Sequence, residues 1–143
     1  MITNAITTLL ETASGITNVK PTTTNATPTD IPRLAYTDLG GPRELTDGGV
    51  TGIVTSLYQV ESYAATETAA RELMRKIMRN ANDADADQRG VQNYKGTVDG
   101  TRIELIHFTD QPRFGPTTLK SEGANQTTAR LIVSMTVKHR DNT

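Results

Sequence analysis

Asp83-Ala84-Asp85-Ala86-Asp87 is the run in this 143-residue chain whose residue types and spacing come nearest to a reagent. Three carboxylates at alternate positions suit a calcium loop, because a hard cation takes several oxygens at once. Such a loop also needs glycine at its sixth position and a bidentate glutamate at its twelfth. Counted from Asp83, those positions hold Gln88 and Tyr94, so the run reads as a solvated acidic loop. His107 and His139 stand in strand-like segments on the apolar parity, where partnered core or edge histidines outnumber catalysts. No carboxylate spacing around them makes a metal site. No serine sits in a G-x-S-x-G turn, and no glycine-rich phosphate loop follows a strand. The absence of cysteine excludes disulfides, thiolate catalysis and cysteine-based zinc sites. The reading assigns no catalytic, cofactor-binding or metal-binding residue and expects no cofactor.

Charge offers a second kind of chemistry. Arg71, Arg75 and Arg79 recur every four residues on one side of a helical pattern, a ridge able to meet carboxylates or phosphate. Glu67 precedes Arg71 by four, and Glu72 precedes Lys76 by four, the order that braces a helix internally. A net charge of −1 and an aromatic content of 4% argue against nucleic acid as the main partner of that ridge. Contact between subunits is the better functional alternative to a solvated face. The acidic residues Asp83, Asp85 and Asp87 just beyond the helix are the matching surface. Between neighbouring copies, the ridge of one subunit is expected to face the acidic loop of the next.

The elements that must carry these residues follow from periodicity. Ile2, Ala5, Ile6, Leu9 and Ala13 predict a helix over 2–13, with Gly15 at its end. Thr17 to Asp30 reads as a polar connector, and Ile31 to Tyr36 as a short edge strand. Val50 to Tyr63 predicts a long strand, and Ala64 to Asn80 a helix with a broad apolar arc. Gly96 to Phe108 predicts a third strand, with Asp99-Gly100 able to split it. Ala129 to His139 alternates apolar and polar residues, with Ile132 as the exception, the pattern of a strand buried on one face. Twenty-five threonines tilt the composition toward strands and polar loops. The expected fold is one α+β domain over 1–143. It has a four-stranded, mainly antiparallel sheet, two helices packed on one face, and long loops. No window approaches the 18 or so apolar residues of a membrane span. The start, Met1 to Ala5, lacks the basic and apolar regions of a signal peptide. Synthesis and assembly in a cytoplasm, with no membrane partner, is the expectation.

Most of the chain, taken in order, resembles the tail terminator (tail completion) proteins of tailed bacteriophages. The resemblance lies in the helix Ile2 to Ala13, a connector with Val19-Lys20-Pro21, and the strand Ile31-Pro32-Arg33-Leu34-Ala35-Tyr36. It continues through the strand Gly52 to Val60, the alanine-rich helix Ala64 to Met78, the strand Ile103 to Phe108 and the closing Val133-Ser134-Met135-Thr136-Val137. The resemblance implies a non-enzymatic virion protein of the neck, located at the tail–head junction and assembled in the host bacterial cytoplasm. It implies a homohexameric ring that caps the tail tube and performs head–tail joining. Its implied partners are further copies of itself, the tail tube protein and a head completion or stopper protein, with DNA passing through the ring without sequence-specific binding. Another connector or stopper subunit is the nearest alternative.

The loop 109–126 carries a rival from a different class. Eighteen residues between two strands far exceed the usual hairpin connection of 2–5, and such loops are commonly functional or ordered by a partner. A small ligand-binding or enzymatic domain would place Pro112, Arg113 and Phe114 near His107. In the ring reading, Arg113 and Phe114 join the arginine ridge and the acidic loop as interface residues.

Overall fold

A computed structural model describes residues 2–21, 31–40, 43–46, 49–114 and 129–140. The connector residues 22–30 and most of the expected loop, 115–126, lie outside the described residues. Two long strands organise the rest: β4 (Gly49–Ala64) and β8 (Ala129–Arg140) run antiparallel, in register from Ile53↔Arg140 to Ala64↔Ala129. Such length leaves more edge than any one neighbouring segment fills. On one side β4 takes β2 (Arg33–Asp38) and then β3 (Arg43–Thr46); on the other, β8 takes β6 (Thr101–Phe108) and then β7 (Arg113–Phe114). Two short strands finish the edges: β1 (Val19–Pro21), parallel to β2, and β5 (Gly96–Val98), antiparallel to β6.

The expected four-stranded sheet is therefore corrected. The described residues form eight strands in one mixed sheet, ordered β1-β2-β4-β8-β6-β5 with β3 and β7 alongside, and the sheet curls. The four expected strands are its long members, and the broader α+β reading stands. The additional strands arise where outer segments break and resume. One break is a two-residue turn at Asp99-Gly100, where φ is +47° and +78°. Positive φ at both positions gives the turn the twist of the strands it joins, and Asp-Gly tolerates it.

Helix α1 (Ile2–Ser14) buries Ala5, Ile6, Leu9 and Leu10, and its end is marked by Gly15 N–H donating to the Glu11 carbonyl at 2.9 Å. Helix α2 (Glu67–Met78) starts later and ends earlier than its apolar pattern suggests. The Thr66 hydroxyl accepts from Ala69 N–H at 3.1 Å and caps it. Its buried Leu73, Met74 and Ile77 share one core with α1 and with the alternate strand residues Tyr58, Val60, Leu131, Val133, Met135 and Val137. Ser62 Oγ, buried in β4, donates to the Ala70 carbonyl at 3.0 Å and ties α2 to the sheet. Tyr36 packs edge-on to Tyr58 at 6.1 Å, and its hydroxyl lies 2.7 Å from Thr7 Oγ1 on α1. Both helices thus lie on one sheet face, and among the described residues no helix lies over the other.

Candidate functional site

The helix-free sheet face is set by parity. On β4 the outward residues are Thr55, Leu57, Gln59, Glu61 and Tyr63; opposite them on β8 stand Lys138, Thr136, Ser134, Ile132 and Arg130. A register shift in β6 between Ile103 and Leu105 changes which residues join them. An extra residue in one strand reverses the alternation beyond it. Ile106 and Phe108 therefore enter the core, while Leu105 and His107 face outward and are exposed. This corrects the placement of His107 on the apolar parity. Its Nδ1 lies 3.1 Å from Gln92 Nε2. His139 is buried as expected, with Nε2 2.9 Å from Ser56 Oγ.

Four large apolar side chains are exposed among the described residues: Leu39 at 56%, Leu105 at 39%, and Leu57 and Phe114 at 38% each. The first three belong to the helix-free face. Leu39 N–H donates to the Leu57 carbonyl at 2.8 Å, continuing the β2 ladder by one residue, so Leu39 and Leu57 stand side by side. Thr136 and His107 complete that row across the sheet. Leu105, opposite Lys138, lies in the next row.

Above this row sits a charged cluster. The Glu61 carboxylate, 3% exposed, accepts from Arg130, from the Tyr63 hydroxyl, and from Gln59 Nε2 at 2.7 Å. Burial is the largest single influence on Glu61 and would raise its pKa. The three hydrogen bonds and the Arg130 charge together outweigh it and hold the carboxyl below its ordinary value. The Glu61 bond raises Arg130 further, and burial with that same carboxylate pushes Tyr63 up to about 12. Lower on the face, Glu104 is ringed by Arg140 Nε at 3.0 Å, Arg102 Nε at 3.4 Å and Lys95 Nζ at 4.0 Å, and the Arg140 bond leads in lowering its pKa.

The expected interface residues are distributed differently from the ridge-and-loop picture. Arg71 stacks over the Phe114 ring at 4.5 Å, and Arg75 pairs with Glu72 at 2.8 Å. Phe114 sits opposite core-facing Leu131 on the helix side, whereas His107 faces outward; the fold does not bring the two together. Arg113 pairs with Asp110 at 3.3 Å. The Asp83 and Asp85 carboxylates cap the backbone N–H groups of Asp85 and Asp87 at 2.9 and 3.0 Å. Those bonds and the short 3-10 turn Ala86–Gln88 shape the acidic loop locally. No group of three or more metal-ligating side chains occurs among the described residues.

Arg79 stands apart, because it lines a groove. The loop 80–94 wraps the end of α2, with Val91 N–H donating to the Ile77 carbonyl at 2.9 Å and Gln92 N–H to the Arg79 carbonyl at 3.1 Å. Gly90 is pressed against that end so closely that a Cβ would meet the Arg79 carbonyl at 2.5 Å. Between this wrapped end, the last turn of α1 and the loop lies a cavity of about 660 Å³. Leu9, Ala13 and Val91 supply apolar lining, and Lys76, Arg79 and Arg89 stand against one carboxylate, Asp87.

The sequence reading missed this groove and the Leu39 row. Leu39 carried a readable signal, a lone large apolar residue between Asp38 and two glycines. The groove depends on how a loop folds over two helix ends, which periodicity does not report. The chain matches no protein-family model, and no curated protein matches it. No helix among the described residues is long and apolar enough to cross a membrane.

Proposed function

We propose that this chain is a structural ring subunit of the tail-terminator type, acting at the junction of a phage tail and head by binding rather than by catalysis. The observation that carries this reading is the helix-free sheet face, which holds three of the four exposed large apolar side chains among the described residues. Apolar area left open beside charged groups is the ordinary mark of a protein-binding surface. The acidic loop and the Glu61 cluster support the same reading, because their polar groups satisfy each other. Carboxylates held by several donors in this way give a surface of fixed shape. The order of helices and long strands is the one the family resemblance rests on.

The mechanism is one of fit. Two long paired strands and two helices over one face make a stiff wedge, and repeated contacts between different patches on neighbouring copies close into a ring. Electron microscopy of the purified protein tests the reading. Closed annuli of uniform diameter that attach to one end of tail tubes are expected. Particles that form no annuli and leave tube ends bare would contradict it.

A further inference from the structure

The groove at the end of α2 carries cations that the described residues leave unanswered. Its volume, about 660 Å³, falls within the roughly 300–1,000 Å³ of ordinary ligand sites. Backbone contacts hold its wall: Val91 and Gln92 N–H groups bond the Ile77 and Arg79 carbonyls, and Gly90 lies against the helix end where a Cβ would not fit. Cations at a helix C-terminus commonly serve its last carbonyls. Here the loop's N–H groups take two of those carbonyls, and the side chains of Lys76 and Arg79 are left over. Among the described residues neither side chain forms a hydrogen bond or an ion pair. Glu72, near both along α2, is bonded to Arg75 at 2.8 Å and does not line the groove. Arg89 donates its Nε to the Asp83 carbonyl at 2.8 Å and keeps its two terminal amino groups. Asp87, the one carboxylate in the lining, pairs with none of the three among the described residues. Arg79 is half-buried, so it gives up hydration with no partner in return.

We propose that this groove binds a small organic phosphate monoester, with the phosphate on Lys76, Arg79 and Arg89 and the carbon body against Leu9, Ala13, Val91 and Tyr94. Three cations less one carboxylate leave two positive charges, which match a phosphate monoester near neutral pH better than a singly charged carboxylate. Arginine suits the group further, because its planar fork meets two phosphate oxygens at once. Lys76 and Arg79 stand three residues apart, so their side chains are neighbours at the end of α2. The apolar part of the lining gives an inorganic ion nothing, and it gives a carbon body a place out of water. The site belongs to a single copy of the chain and does not rest on the ring reading.

Titration of the isotope-labelled chain followed by NMR tests the site, with phenyl phosphate, inorganic phosphate and benzoate as probes. Phenyl phosphate should shift the amides of Gly90, Val91 and Tyr94 and saturate, and the other two should each bind at least about tenfold more weakly. Arg79→Gln should weaken phenyl phosphate by about tenfold or more. Thr12→Trp, which fills the groove from an exposed position on α1, should abolish binding. Melting temperature checks that both are folded, and Arg89→Gln replaces either one that is not. Lys20→Gln, at an exposed position outside the lining, should bind like the wild type. No shift with phenyl phosphate, or binding untouched by the groove variants, would overturn the site. Benzoate or inorganic phosphate binding as tightly as phenyl phosphate would overturn the ligand class. Shifts caused by an acidic peptide and not by phenyl phosphate would also overturn it, and would assign the groove to a protein partner. None of these outcomes depends on copy number, so the site and the ring reading fail separately.

Discussion

Arg130→Met isolates the balance on which the buried Glu61 depends. In the native chain Glu61 is 3% exposed and Arg130 19%, so removing the arginine strands a carboxylate with little access to water. Breaking a fully buried pair typically costs about 3–5 kcal/mol. Here Arg130 is partly solvated, and Gln59 and Tyr63 still donate to the carboxylate, which places the expected loss at about 2–3 kcal/mol at neutral pH. The pH dependence is the sharper part of the prediction. In the wild type the folded Glu61 has a lowered pKa. Its contribution is present above the ordinary value of 4.5 and is lost as the pH falls below it. Without Arg130, burial still raises the pKa and only the Tyr63 and Gln59 bonds oppose it, so the folded carboxyl binds its proton more tightly than in the wild type. The loss caused by the substitution is then full at neutral pH and shrinks as the carboxyl is protonated at acid pH. Urea unfolding followed by circular dichroism at about pH 7 and pH 3.5 measures both quantities. The double variant Glu61→Gln with Arg130→Met should recover more than half of the loss. A loss below about 1 kcal/mol for Arg130→Met, or a loss identical at the two pH values, would refute the reasoning.

Three further outcomes are expected. Gly90→Ala drives a methyl onto backbone atoms of Arg79 and Lys76 at 2.5–2.7 Å, so the loop must move; thermal unfolding should show a loss of about 1–3 kcal/mol. Thr66→Ala removes the α2 cap and should cost about 1 kcal/mol in the same assay, with Thr66→Asp close to wild type. Burial leads in raising the pKa of both Tyr58 and Tyr63 above the ordinary 10.0, with Asp38 and Glu61 adding to it. Unfolded tyrosines therefore ionise first, and stability should fall as the pH rises above 10; Tyr63→Phe should make that fall shallower.

The long elements were legible because each repeats one physical demand over many residues. The alternation from Ala129 to His139 became β8, and the apolar arc of Leu73, Met74 and Ile77 became the buried side of α2. What escaped was set by contacts between distant segments. The parity of His107 depends on one shifted pairing against β8, and the count of strands depends on how much edge β4 and β8 leave to be filled. The arginine ridge was read as one surface because its spacing is regular. In the fold Phe114 captures Arg71, Glu72 captures Arg75, and the groove takes Arg79. Those partners lie on separate elements or fall to local competition, and helical spacing alone does not select among them. The acidic loop fails the calcium pattern in the sequence itself, at Gln88 and Tyr94. Its aspartates turn out to serve their own backbone.

The account stands most directly on copy number. Native mass spectrometry of the purified 143-residue chain at neutral pH should show a single closed species of six subunits, with no ladder of open oligomers beneath it. A chain that remains monomeric at high protein concentration, and still monomeric in the presence of tail tubes, would contradict the central claim.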